Sequence, residues 1–124
     1  MRILIADNQP RARQSMKALL NAWHRDNELY EAADGNEAVR LAIEFKPDLI
    51  LMDARMPKMG GLEAVQIIKS HIPDIRIIVL SMYPDCKDQA LAAGADVFVS
   101  KSDPPERLRK TLEDVMRNIS KINK

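Results

Sequence analysis

Two kinds of apolar pattern alternate along this chain. Unbroken apolar runs end in polar residues at Arg2-Ile3-Leu4-Ile5-Ala6-Asp7, Leu49-Ile50-Leu51-Met52-Asp53, Ile75-Arg76-Ile77-Ile78-Val79-Leu80-Ser81 and Asp96-Val97-Phe98-Val99-Ser100-Lys101. A more polar run, Glu28-Leu29-Tyr30-Glu31-Ala32-Ala33, lies between the first two and suits a sheet edge. Between the runs, apolar residues recur at helical spacing: Ala12, Met16, Leu19, Leu20 and Trp23; Ala38, Leu41, Ala42 and Phe45; Leu62, Val65 and Ile68; and Leu108, Leu112, Val115 and Ile119. Turn chemistry marks the joints. Pro10 opens the first helix, Asp34-Gly35 turns the chain, Lys46-Pro47 stops the second helix, and Gly94 follows a short Ala-rich segment at 88–93 as its C-terminal cap. Asp103 caps the last helix, with Pro104 in its first turn. Trp23 reads as a packing residue.

Strands that are apolar throughout belong to sheets covered on both faces, and strands alternating with helices belong to parallel sheets. The expectation is therefore a doubly wound α/β domain of five parallel strands and five helices, occupying 1–119. Residues 120–124 read as a polar C-terminal tail or the start of a linker.

Composition narrows the class. The chain has 124 residues, 46% hydrophobic and 30% charged, enough for one ordinary core and too apolar for disorder. A net charge of +1 gives no reason to expect nucleic-acid or membrane binding from bulk charge. Arg107, Arg109, Lys110, Arg117, Lys121 and Lys124 are interspersed with Glu113 and Asp114, which reads as a solvated helix face. The single cysteine, Cys86, excludes an internal disulfide and a cysteine metal cluster. No run approaches the ~20 apolar residues that cross a bilayer, and the first residues lack the pattern of a signal peptide. A cytoplasmic domain is expected.

Four of the five strands end in a reactive or chelating side chain: Asp7 (with Asn8 next), Asp53, Ser81 and Lys101. In a parallel sheet these ends share one rim, where such sheets bind ligands. Singly, each has an ordinary structural explanation as a cap, a turn residue or a solvated lysine. Together they suit phosphoryl transfer to a carboxylate. Asp53 would be the nucleophile, Lys101 would neutralise phosphoryl charge, and Ser81 would donate to a phosphoryl oxygen. Mg2+ needs only one or two carboxylates and a carbonyl besides its waters.

The segments Ile-Ala-Asp-Asn-Gln-Pro ending at Pro10, Leu-Met-Asp-Ala-Arg-Met-Pro-Lys-Met-Gly-Gly at 51–61, Val-Leu-Ser-Met-Tyr at 79–83 and Ala-Gly-Ala-Asp-Val-Phe-Val-Ser-Lys at 93–101 together resemble the receiver domain of bacterial two-component response regulators. The resemblance covers essentially the whole chain. It implies a flavodoxin-like, CheY-like sheet of order 2-1-3-4-5. It implies that Asp53 accepts phosphoryl from a histidine kinase or phosphotransfer protein, with Mg2+ held by Asp7, Asn8, Asp53 and the backbone carbonyl of Arg55. It also implies a switch in which Ser81 moves toward the phosphoryl group and Phe98 rotates inward. The chain would then be a signalling receiver, not an enzyme beyond self-phosphorylation and autodephosphorylation, and would control a partner or a C-terminal output domain such as a DNA-binding one.

Three positions depart from the family pattern: Asn8 replaces a second acid, Arg55 puts a cation two residues after the acceptor, and Ser102 replaces a proline. Asn8 and Arg55 would leave the metal site up to two charge units less negative, hence a weaker Mg2+ site. Alternatively Arg55 points into solvent and Asn8 caps the first helix. A phosphorylation-independent interaction module stays open as a second reading. Arg55 argues against an aspartyl-nucleophile phosphohydrolase, which needs an acid there. Asn8-Gln9-Pro10-Arg11 is not the phosphate loop of a flavin binder.

Overall fold

The computed structural model describes residues 1–122. Its elements are β1 (Arg2–Ala6), α1 (Pro10–Trp23), β2 (Glu28–Ala32), α2 (Gly35–Phe45), β3 (Leu49–Asp53), α3 (Gly61–His71), β4 (Arg76–Ser81), a single 3-10 turn (Pro84–Cys86), α4 (Lys87–Ala93), β5 (Val97–Ser100) and α5 (Pro105–Ile122). The strands form one sheet of order β2-β1-β3-β4-β5, and every neighbouring pair is parallel. The doubly wound α/β architecture expected from the pattern is the one observed.

The unbroken apolar runs follow from coverage on both faces. Side chains alternate across a strand, so Leu4, Ile50, Met52, Ile77 and Val79 pack with Ala38, Ala42, Val65 and Ile68 on the α2–α3–α4 side. Ile3, Ile5, Leu49, Leu51, Ile78 and Leu80 pack with Leu20, Leu108, Leu112 and Val115 on the α1–α5 side. Leu49, Ile50, Leu51 and Met52 are at most 1% exposed, so β3 has no polar face at all. β2 lies at the edge and is only partly buried, in keeping with its more polar sequence. Trp23 packs, partly buried, against the α1–α5 side.

Boundaries differ in detail. β1 stops at Ala6, placing Asp7 just beyond the strand, and β5 runs only from Val97 to Ser100. Asp96 is held outside β5 because its carboxylate accepts the Ile77 N–H at 2.8 Å and pairs with Lys69 at 2.9 Å. Pro105, not Pro104, takes the first helical position of α5. The same helix continues to Ile122, past the expected boundary at 119, while 123–124 lie outside the described residues. Gly94 closes α4 with φ of 116°, a left-handed cap that favours glycine.

Candidate phosphoacceptor site

The C-terminal ends of β1, β3, β4 and β5 bring Asp7, Asp53, Ser81 and Lys101 to one rim. Asp7 and Ser81 are buried, at 7% and 2% exposure, although both are polar. Lys101 Nζ donates to Asp7 Oδ2 at 2.8 Å and lies 3.5 Å from Asp53 Oδ2, so one ammonium bridges two carboxylates. Asp7 Oδ1 accepts the Gln9 N–H at 2.9 Å, and Asp53 Oδ1 accepts the Arg55 N–H at 3.4 Å. Ser81 Oγ accepts the Tyr83 N–H at 2.9 Å, and the Lys101 N–H donates to the Ser81 carbonyl at 2.8 Å.

Burial pushes the Asp53 carboxyl above its ordinary range; the Lys101 ammonium opposes this and the nearby Asp7 adds to it. Two carboxylates facing one lysine leave a negative surplus, the condition that favours a hard cation. The residues therefore fit Mg2+: Asp7, Asp53 and the Arg55 carbonyl would hold it. Among the described residues no cluster of three or more acidic, histidine or cysteine side chains is assembled.

Asn8 is exposed, and α1 begins at Gln9 as N-cap with no side-chain cap bond, so Asn8 does not cap the helix. Arg55 is exposed, as the second of its two expected orientations has it. Its guanidinium lies over the exposed Tyr83 ring, 3.7 Å from the centroid, rather than over the carboxylates. Phe98 sits in β5 opposite Val79, half-buried against the α2–α4 side and away from the carboxylates. Ser102 donates its N–H to Ser100 Oγ at 3.2 Å, which ties down the loop where a proline was absent.

One site residue escaped the sequence. Arg13 Nη1 donates to the Asp7 carbonyl at 2.6 Å while its Nε donates to Glu31 Oε1 at 3.0 Å, so α1 clamps the turn after β1 to the edge strand. Burial disfavours the Glu31 carboxylate, but hydrogen bonds from Lys17 and Arg13 outweigh it and hold the group below its ordinary value. The visible signal was Arg13 and Lys17 at helical spacing opposite an acid in the polar strand. Below the rim, a cavity of about 260 Å³ opens between α1 and α5, lined by Met16, Leu19 and Leu108 as well as Asp7, Asp53 and Lys101.

Residues 3–113 match the family model of the response regulator receiver domain. The chain belongs to that family. The receiver is 40% identical over 113 residues to the uncharacterized transcriptional regulatory protein YhcZ of Bacillus subtilis, covering 90% of this chain and 53% of that protein. It is 34% identical over 119 residues to the response regulator protein VraR of Staphylococcus epidermidis, covering 91% of this chain and 57% of VraR. It thus spans about half the length of these curated relatives. Among solved structures, the N-terminal domain of an uncharacterized Wolinella succinogenes protein superposes with a TM-score of 0.85 at 35% identity, covering 100% of this chain and 99% of that one. A CheY-like receiver from Methanospirillum hungatei gives 0.87 at 25% identity, covering 97% of this chain and 96% of that one. Receivers of this family generally bind Mg2+ at the acidic pocket, are phosphoproteins and are not enzymes. No helix among the described residues is long and apolar enough to cross a membrane.

The bridging geometry gives Lys101 a testable role. Lys101→Ala is expected to keep the fold and lose about 1–2 kcal/mol, between the values for exposed and buried pairs. Native domains generally have a margin of about 5–15 kcal/mol, larger than that loss. Phosphorylated Lys101→Ala should show little of the amide-shift change expected of wild type, because a unit pair near ~4 Å is worth up to about 4 kcal/mol at an effective dielectric of 20. Unfolding of the unmodified variant, seen by circular dichroism, would contradict this.

Proposed function

We propose that this receiver accepts a phosphoryl group on Asp53 from a histidine kinase or phosphotransfer protein in the cytoplasm, and that phosphorylation alters its surface to control a C-terminal output domain or partner. The observation that carries the reading is the Asp53 carboxylate at the end of β3, flanked by Asp7, Ser81 and Lys101 within one partly buried rim. An Asp53 carboxylate oxygen forms the bond to phosphorus as the donor's bond to it breaks. Lys101 balances charge on the incoming group, Ser81 turns its hydroxyl to donate to a phosphoryl oxygen, and Phe98 follows inward. Asp7, Asp53 and the Arg55 carbonyl would hold Mg2+, which would supply positive charge to neutralise the phosphoryl group. Water reaching the same rim would hydrolyse the acyl phosphate and reset the receiver.

The length of the relatives supports an output domain, since a transcriptional regulatory protein and VraR both extend well beyond the matched region. Incubation with acetyl phosphate and Mg2+ is expected to add the mass of one phosphoryl group to the intact chain. No gain at any Mg2+ concentration would favour instead a receiver that works as a phosphorylation-independent interaction module.

The metal site carries a second prediction. Asn8→Asp should tighten Mg2+ binding about tenfold, equivalent to about 1.4 kcal/mol, and steepen its salt dependence. Arg55→Ala should change affinity much less, because the guanidinium is held on Tyr83 and not beside the carboxylates. A Mg2+ titration followed by amide shifts separates the three proteins. Equal affinity in wild type and Asn8→Asp would overturn the electrostatic account.

A further inference from the structure

The Arg55–Tyr83 stack joins the loop after β3 to the loop after β4. Tyr83 is 47% exposed, and its neighbour Met82 59%. An exposed cation–π stack is among the weaker contacts available to a guanidinium, whereas a forked pair with phosphate is among the stronger.

We propose that phosphorylation of Asp53 draws the Arg55 guanidinium off the Tyr83 ring and onto the phosphoryl oxygens, making Arg55 a further ligand of that group and uncovering Tyr83 in the same movement. The inference rests on Asp53 being the acceptor. The Arg55 N–H lies 3.4 Å from Asp53 Oδ1, so its side chain springs from beside the acceptor. Lys101 already faces two carboxylates, bonded to Asp7 at 2.8 Å and 3.5 Å from Asp53. Lys58, the other cation of the loop, is drawn aside to Asp34 at 3.7 Å. A phosphoryl group brings about −1.5 to −2 of charge and three acceptor oxygens. Lys101 and Ser81 leave acceptor sites open on it, even with a divalent cation on one oxygen. Before phosphorylation, the Asp53 charge is partly met by Lys101 and Arg55 keeps the ring. Afterwards the phosphoryl group offers the stronger contact, and Tyr83, on the segment leading into Pro84–Cys86 and α4, loses its cover.

The test uses the 124-residue chain, acetyl phosphate and Mg2+. Intact mass gives the phosphorylated fraction, and proton NMR follows the Arg55 side chain, which the Tyr83 ring current shifts upfield. Tyr83→Leu is expected to abolish that shift without phosphorylation, which identifies it. In wild type the shift should disappear in proportion to the phosphorylated fraction. A shift retained in chains that the mass shows to be phosphorylated overturns the movement of Arg55 while leaving Asp53 as acceptor; no mass gain overturns both. In Arg55→Gln chains that the mass shows to be phosphorylated, the Tyr83 ring resonances should barely differ between the two states. A ring change as large as that of wild type in Arg55→Gln would also refute the proposal.

Discussion

Asp53→Asn is expected to abolish the phosphoryl gain completely while leaving the fold in place. An amide lacks the anionic oxygen that attacks phosphorus, and Asp7, the other carboxylate of the rim, is buried and bonded to Lys101. The amide is close in shape to the carboxylate and its oxygen can still accept the Arg55 N–H. Stability should move the opposite way. Burial and Asp7 hold the Asp53 carboxyl above its ordinary value, so its ionised form is less favourable in the folded chain than in the unfolded one. That penalty is fully present above the raised folded value and fades as pH falls through it toward the unfolded one. Asp53→Asn should therefore melt higher than wild type at neutral pH, with the advantage shrinking in acid. Intact mass and thermal melts across the carboxylate range check both parts. An acid-stable phosphoryl group on another residue of the variant, at comparable yield, would show that Asp53 is not the acceptor.

Gly61→Ala should be strongly destabilising, because a Cβ there makes the closest approach of any of the four glycines. A Cβ at Gly61 would collide with the Asp53 carbonyl oxygen, and would lie 2.9 Å from that carbonyl carbon and 3.1 Å from Ala54 Cα. These are backbone atoms at the end of the central strand and have no rotamer to retreat into. Overpacking a core with flexible neighbours costs about 1–3 kcal/mol, so a loss of about 3 kcal/mol or more is expected here. Relief by backbone movement would displace Asp53, so phosphoryl gain should slow as well. Gly60→Ala is the control: its nearest neighbour is 4.0 Å away, and it should cost less than about 1 kcal/mol at this helix N-cap. Urea unfolding measures both, and equal losses would mean that the close approach of α3 to β3 is not what Gly61 serves.

Much of the fold was legible because its signals are local. Four strands are apolar throughout, and a strand with no polar face has to be covered on both sides, which leaves a parallel sheet between helix layers. The rim was legible for the same reason: parallel strands put their C-terminal residues on one edge, so Asp7, Asp53, Ser81 and Lys101 converge once the strands are placed. Ends were less clear. Asp96 sits in an apolar-looking run, yet its carboxylate bonds the Ile77 N–H and Lys69, which removes it from β5.

The sequence by itself determined the sheet, the order of chemistry along its rim and the departure at position 8. Tertiary structure alone decided how those groups spend their charges. In the apolar strands nothing local says that Leu49 and Leu51 face α1 and α5 while Ile50 and Met52 face α2 to α4; the pairing register does. Nothing local distinguishes Gly60 from Gly61, because the Cβ of one meets nothing nearer than 4.0 Å and that of the other collides with the end of β3. Arg13 joins Asp7 to Glu31 only because β2 pairs beside β1. Arg55 rests on Tyr83 because β3 and β4 are neighbours whose following loops meet above the sheet. In each case the deciding contact joins groups far apart in sequence, or turns on a distance no residue pattern encodes.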